Sequence, residues 1–153
     1  MRKGRGIGAA PRGSVSLTRS ATFRASHRLA RPDWSDARNR AVFGDVSGPP
    51  HAHRYRCDVT VSGPVDGRTG TLVDLRVLDA VIAAEIVGRL DGRTLNELDE
   101  LRRGAVVPTS ENLARLIAGV VRRALRDRRA SARVTEVRVA EDDTLSATWR
   151  AAR

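Results

Sequence analysis

The three histidines of this chain are the residues whose type and spacing point most directly to chemistry. His51 and His53 are separated by one residue, and His27 lies earlier in the sequence. Alternate side chains of a strand point to the same face, so a His-x-His pair presents both rings together. A third histidine from the end of a neighbouring antiparallel strand completes one face of a tetrahedron. Three nitrogen ligands with an open fourth position are typical of catalytic zinc.

A His-x-His pair also occurs by accident on protein surfaces, so the pair alone does not define a site. Here all three histidines of the chain take part in the predicted cluster, and none remains for another role. The pattern therefore favours one metal site, formed by His27, His51 and His53.

The length and composition indicate what kind of protein contains these histidines. The 153 residues suit one domain, and the core must be aliphatic because hydrophobic residues make up 41% and aromatic residues only 3%. No apolar run predicts a membrane span, and Cys57 is the only cysteine, so we expect a cytoplasmic protein without an intrachain disulfide. The net charge of +10 raises the possibility of nucleic-acid binding. The positive charge is scattered along the chain and is not interleaved with aromatic residues, which argues against nucleic-acid binding.

Hydrophobic periodicity predicts the elements that position the histidines. Residues 1–13 have the composition of a disordered basic tail, and residues 14–153 form the predicted domain. Apolar residues at every third or fourth position predict two helices, one capped by Asp74 and one starting near Thr109 and Ser110. Alternation predicts strands at residues 14–23, 53–62, 134–141 and 145–150. The order ββααββ predicts an α+β fold, an antiparallel four-stranded sheet with both helices on one face, whose open edges favour oligomerisation.

Six short segments, taken in order along the chain, resemble the 6-pyruvoyl-tetrahydropterin synthase / 6-carboxy-tetrahydropterin synthase family. Each segment alone is weakly specific, but together they extend over nearly the whole predicted domain. They are residues 23–27 (Phe-x-Ala-x-His), 39–44 (Asn-x-x-x-Phe-Gly), 51–55 (His-x-His-x-Tyr), 90–96 (Leu-Asp-x-x-x-Leu-Asn), 108–112 (Pro-Thr-Ser-Glu-Asn) and 137–141, a strand that ends in Glu141.

The resemblance implies a tunnelling fold, in which trimers join their sheets into a barrel and two trimers stack into a hexamer. It implies a lyase that acts on 7,8-dihydroneopterin triphosphate or a related pterin, in pterin or queuosine biosynthesis. It also implies that His27, His51 and His53 hold Zn²⁺ and that Glu141 anchors the pterin ring, with Thr109, Ser110 and Glu111 beside it. A carboxylate suits that role because it accepts two parallel hydrogen bonds from a guanidine-like edge. Solvent exposure at a strand end is the alternative for Glu141, and helix capping the alternative for Thr109 and Ser110.

The sequence departs from the family at its proton relay. Val46 or Ser47, depending on how the spacing is counted, stands where the family has a cysteine, and Gly92 replaces a histidine. Asp91 is the one remaining member and the candidate catalytic residue, although Asp45 or zinc hydroxide could also act as base. Three functions therefore stay open: a zinc-dependent synthase, a non-catalytic pterin- or purine-binding oligomer, and a basic nucleic-acid-binding domain.

Overall fold

A computed structural model describes residues 14–152 as one five-stranded sheet with helices. The predicted tail at residues 1–13 lies outside the described residues. The strands are β1 (Val15–His27), β2 (His51–Gly63), β3 (Arg93–Thr94), β4 (Arg133–Ala140) and β5 (Ser146–Arg150). The helices are α1 (Asp36–Phe43), α2 (Leu75–Ile82), α3 (Gly88–Leu90), α4 (Asp99–Arg103) and α5 (Ser110–Asp127).

The predicted α+β architecture is confirmed, with one strand more than expected. The strands lie in the order β3-β1-β2-β4-β5, and all neighbours are antiparallel except β1 and β3. The two-residue strand β3 was missed because it is too short to show any periodicity. It is held by Asp91, whose Oδ1 accepts a hydrogen bond of 2.8 Å from the Arg24 backbone N–H, and by Gly92, whose N–H donates to the Arg24 carbonyl at 2.7 Å.

The first two strands are longer than the sequence predicted. Their pairing runs without interruption from Val15 opposite Gly63 to His27 opposite His51. Residues 24–27 thus belong to β1 rather than to a loop, because each has a backbone partner on β2. The consequence is that all three histidines lie within the sheet at one end of the β1–β2 pair.

The core lies between one face of the sheet and helices α2 and α5. α2 begins at its cap Asp74, and the following residues continue through a wider turn at Ala83–Val87 into α3. α5 begins after its cap Thr109, whose side chain accepts a hydrogen bond from the Asn112 N–H. Phe23 and Tyr55 stack with ring centres 5.1 Å apart, and Cys57 is fully buried, as expected for a cysteine that acts as a small apolar residue.

The opposite face of the sheet is polar. Thr18 and Thr60 share a hydrogen bond of 2.8 Å, and Ser20 donates to Asp58 at 2.6 Å. Arg24 and Arg54 lie directly opposite each other on β1 and β2. Among residues 14–152, no helix combines the length and the low polarity that a membrane crossing requires.

Candidate metal centre

The three histidines converge on one point at the end of the β1–β2 pair. His27 and His51 are cross-strand partners, and His53 follows on the same face of β2. The ring centres lie 4.7 to 5.1 Å apart, and one nitrogen from each ring lies within 4.8 Å of the other two. The sequence prediction that these three side chains form one cluster is therefore met by the register of the two strands.

The orientation of His27 is set by a backbone group just before α5. Its Nδ1 lies 2.7 Å from the Pro108 carbonyl oxygen. A carbonyl can only accept a hydrogen bond, so Nδ1 carries a proton, and Nε2 is the nitrogen whose lone pair a metal ion would use. This is the way in which metal-binding histidines are usually held, with the second ring nitrogen donating to a carbonyl or carboxylate.

His53 has a ring nitrogen that suits a metal ligand. Its Nε2 is buried and has no hydrogen-bond partner in the described part of the chain. A buried polar atom without a partner is costly unless a ligand, ion or water satisfies it. The three-nitrogen donor set and this orphaned atom fit a divalent metal ion, which His27, His51 and His53 would hold through ring nitrogens.

The histidines form one wall of a cavity of about 390 Å³. Its other walls come from three places in the chain: the turn before β2, the start of α5 and the hairpin between β4 and β5. The lining residues are His27, Leu29, Val46, His51, His53, Thr109, Ser110, Glu111, Glu141, Leu145, Ser146 and Ala147.

Glu141 lies deep in this cavity, close to the histidine cluster. Its Oε1 is 3.8 Å from His27 Nε2, and its side chain is only 10% exposed. Burial first, and the negative charge of Glu141 second, raise the pKa of the neighbouring Tyr55 well above its usual range. The predicted alternative, a glutamate facing open solvent beside Asp142 and Asp143, is therefore wrong.

The start of α5 supplies hydroxyl groups with different environments. Thr109 caps the helix, whereas the Ser110 Oγ is buried with no partner among residues 14–152. Asn112 holds this segment in place, since its Nδ2 donates to the Val107 carbonyl at 2.9 Å. Ser110 thus offers a free hydrogen-bonding group to a molecule in the cavity, and Glu111 adds a second carboxylate to the wall.

The two candidates for the missing cysteine have different positions. Val46 lines the cavity, whereas the Ser47 Oγ donates to the Gly44 carbonyl at 2.7 Å within a 3₁₀ turn (Gly44–Ser47). Of the two candidate positions, only Val46 lines the cavity, and its side chain is apolar. Asp45 points away from the cavity, fully exposed, with a carboxylate oxygen 3.6 Å from Arg40.

Asp91 does not reach the histidine cavity of its own chain. It lines a separate pocket with Arg24 and Arg54, and its carboxylate accepts the Arg24 N–H as described above. Its predicted catalytic role stays a prediction, because the structure assigns it a backbone contact and leaves no described link to the histidines.

Sequence reasoning missed the carbonyl of Pro108, which orients His27, and the apolar wall at Leu29, Leu145 and Ala147. The first is a backbone group, for which a sequence carries little signal. The wall residues are ordinary aliphatic residues, and only the hairpin geometry brings Leu145 and Ala147 to the cavity. The Asp142 carboxylate forms that hairpin by accepting hydrogen bonds from the Thr144 and Leu145 N–H groups at 2.7 and 2.9 Å.

Comparison with known proteins agrees with this geometry. The sequence model of the family described as 6-pyruvoyl tetrahydropterin synthase matches residues 16–152. The 6-pyruvoyl tetrahydrobiopterin synthase of Drosophila melanogaster is 42% identical over 100 residues, which are 64% of this chain but only 58% of the length of that protein. The human protein of the same name is 35% identical over 108 residues, 70% of this chain and 74% of that one.

Solved structures show the same fold. The Caenorhabditis elegans 6-pyruvoyl tetrahydropterin synthase superposes with a TM-score of 0.81 at 25% identity, covering 92% of this chain and 97% of that one. A Plasmodium vivax 6-pyruvoyltetrahydropterin synthase superposes with a TM-score of 0.61 at 15% identity, covering 90% and 98%, which bears on the fold alone.

Proposed function

The chain belongs to the 6-pyruvoyl tetrahydropterin synthase family, and we propose that it is a zinc-dependent lyase that acts on 7,8-dihydroneopterin triphosphate or a related pterin. The observation that carries this proposal is the 3.8 Å approach of Glu141 to His27 Nε2 inside one cavity. A nitrogen donor set and a ring-binding carboxylate thus lie within the reach of one small molecule.

Each side of the cavity has a separate task in this proposal. His27, His51 and His53 hold the metal, which when bound supplies a Lewis acid for the oxygens of the substrate side chain. Glu141 accepts two hydrogen bonds from the amino and ring N–H groups of the pterin. The buried Ser110 Oγ satisfies a further polar atom of the ring, and Leu29, Leu145 and Ala147 exclude water from its faces.

Proton transfer is the weak part of the site. Neither Val46 nor Ser47 carries the thiol of the usual relay, and Gly92 has no side chain, so Asp91 is the one member of that relay that this chain keeps. Among the described residues, the titratable groups that line the cavity besides the histidines are Glu111 and Glu141. If Glu141 holds the ring, the remaining candidates for moving the proton are Glu111, a water molecule in the cavity, and Asp91 of a second copy of this chain in an oligomer, so turnover should be slow.

The test is mass spectrometry of zinc-loaded protein incubated with 7,8-dihydroneopterin triphosphate. Loss of triphosphate, with formation of a 6-pyruvoyl or 6-carboxy pterin, supports the synthase. Unchanged substrate at high enzyme concentration over many hours counts against it.

A second function is favoured by the same two replacements. Val46 and Gly92 have no side chain that can transfer a proton. The alternative function is therefore a trimer or hexamer of this chain whose cavity binds a pterin or a purine without turnover. Calorimetry decides between the two: tight pterin binding without product formation supports the binding protein, and no affinity for any pterin or purine removes it.

A further inference from the structure

A second cavity, of about 890 Å³, lies at the opposite end of the sheet from the histidines. It is bounded by the last turns of α5, by Ser14 before β1, by Gly63 at the end of β2 and by Arg133 at the start of β4. β1 has 13 residues, and at roughly 3.3 Å per residue it separates the two cavities within one chain by about 40 Å. The second cavity is therefore distinct from the proposed pterin site.

This cavity is lined by five arginines and by no acidic residue of the described chain. The arginines are Arg122, Arg123, Arg126, Arg129 and Arg133. The sequence of residues 1–13 also contains no Asp or Glu that could neutralise them. Asp127 lies 3.9 Å from Arg126 Nε but does not line the cavity.

Elsewhere on the surface, arginines commonly lie against carboxylates. Arg19 contacts Asp79 at 2.7 Å, and Arg150 contacts Glu136 at 2.9 Å. Besides these two pairs and the Arg126–Asp127 contact, residues 14–152 contain ten ion pairs between an arginine and a carboxylate. They are Arg28–Asp36, Arg31–Asp33, Arg40–Asp45, Arg56–Asp58, Arg76–Asp74, Arg89–Glu85, Arg89–Glu100, Arg102–Asp99, Arg103–Asp99 and Arg138–Asp58. The arginine cavity thus departs from the pattern of this surface.

Local energetics oppose this clustering. Arg122 and Arg126 are four residues apart on α5, so their like charges face each other on one side of the helix, which is destabilising. The helix dipole at the C-terminal end of α5 offsets part of this repulsion, but its effect is confined to the last turn. A bound anion would remove the remainder.

Arg129 adds an independent observation. It follows the end of α5 with a φ of 53°, in the left-handed region where glycine is the favoured residue. Its N–H donates to the Arg126 carbonyl at 2.9 Å, and the next N–H, of Ala130, donates to the Leu125 carbonyl at 3.0 Å, which is the usual way a helix ends with glycine. An arginine at this position is less stable than a glycine would be, because of its positive φ, but it places a guanidinium group at the cavity.

We propose that this cavity binds a small polyphosphate anion, either free inorganic triphosphate or the phosphate chain of a nucleotide. The guanidinium group is planar and matches two oxygens of a phosphate at once, so several arginines around one concave site suit adjacent phosphates. Arg122 is already held in place over the ring of Trp149, at 5.6 Å from its centre. Among residues 14–152, no aromatic side chain lines the cavity, which disfavours a stacked single-stranded nucleic acid.

Calorimetric titration of the full chain with inorganic triphosphate tests the proposal. The double variant Arg122→Ala/Arg126→Ala should bind at least tenfold more weakly. The matched control Arg68→Ala/Arg115→Ala loses the same charge from two positions outside the cavity, and should bind within twofold of the unaltered chain. Equal weakening in both double variants, or none in the first, overturns the proposal.

Two further variants separate this site from the histidines and from misfolding. Triphosphate binding should persist in His51→Ala, and its loss there would place the anion at the histidines and overturn the proposal. Arg129→Gly should bind more weakly while its unfolding temperature stays equal or rises, because glycine fits the backbone; unchanged affinity would contradict the assignment of Arg129.

The source of the phosphate is distinguished by comparing ligands. Triphosphate and ATP binding with similar affinity identifies the phosphate chain alone, and tighter ATP binding identifies a nucleotide; both support the proposal. A single-stranded RNA 12-mer that binds more tightly than triphosphate and ATP, with a steeper salt dependence, would assign this surface to nucleic acid and overturn the proposal.

Discussion

The ring of His27 is held by the carbonyl oxygen of Pro108, 2.7 Å from its Nδ1. This contact joins the end of β1 to the residue two positions before α5, so one hydrogen bond links the histidine wall of the cavity to the wall that carries the Thr109 and Ser110 hydroxyls. It also leaves His27 Nε2 as the nitrogen that faces His51, His53 and Glu141.

Replacement of one histidine should abolish metal binding. His51→Ala removes one of three donors, and because the remaining two cannot enclose a tetrahedral ion, zinc affinity should fall at least 100-fold. The measurement is zinc content by elemental analysis after dialysis. Ser110→Ala, in the same cavity, is the control and should retain the metal; full zinc retention in His51→Ala would rule out the site.

Glu141→Gln should lose pterin affinity and keep the metal. An amide presents only one acceptor oxygen and places an NH₂ against the donors of the ring, so binding should weaken about 100-fold, in line with the loss of a charged hydrogen-bonded pair. Calorimetry with a pterin measures the loss of affinity, and zinc analysis measures whether the metal is retained. Asp143→Asn, two residues further on the exposed hairpin, should change neither quantity, and a comparable loss there would show a general charge effect instead.

Introduction of a thiol at the cavity wall should raise activity. Val46 lines the cavity, so Val46→Cys places a proton-transferring group beside the substrate and should increase turnover at least tenfold over the unaltered chain. Ser47→Cys is the matched variant. Since the Ser47 side chain is directed to the Gly44 carbonyl, it should have no such effect. Turnover is measured as product formation. An increase in Ser47→Cys but not in Val46→Cys would show that residue 47, rather than residue 46, faces the substrate.

The single native thiol should be inert in the folded protein. Cys57 is fully buried, and burial, followed by the charge of Asp58, raises its pKa to about 12. Iodoacetamide at pH 8 should therefore label it only in denaturant, as read by mass spectrometry. The Val46→Cys thiol, at a position that is 42% exposed, provides the positive control. Labelling of native Cys57 at a similar rate would contradict the packing of β2.

Stability should fall at acid pH partly through Asp58. Burial alone would raise the pKa of this carboxyl, but hydrogen bonds from Ser20 and Arg56 and the charges of Arg56 and Arg138 lower it below its usual value. A lowered folded-state pKa stabilises the protein above pH of about 4, and this contribution is lost as the pH falls through the folded-state value.

Asp58→Asn should therefore unfold more easily at pH 7, by about 1–2 kcal/mol, and differ less from the unaltered chain near pH 2. Urea denaturation at the two pH values measures both differences. Asp127→Asn is the control, because its side chain is 69% exposed. A difference that grows toward acid pH would have the wrong sign for this explanation.

Much of the fold followed from local pattern. The alternation in β2 and β4 and the apolar stripes of α2 and α5 predicted the ββααββ order because each element buries one face. The cap Asp74 was correctly placed, and of the two candidates Thr109 and Ser110 the structure selects Thr109, because capping depends on the residue itself and its near neighbours. The short strand β3 could not be predicted, since two residues show no period and their pairing depends on Asp91 and Gly92 meeting β1.

The candidate site divides in the same way. The sequence by itself predicted that the three histidines cluster, because histidines with this spacing on paired strands share a face once the strands are in register. Only the tertiary structure decided that Val46 rather than Ser47 lines the cavity, and that Asp91 is engaged by the Arg24 backbone. It also decided that five arginines from α5, from the turn after it and from β4 line a separate cavity. The physical reason is that turn geometry and the packing of distant segments, rather than local periodicity, set the direction of these side chains.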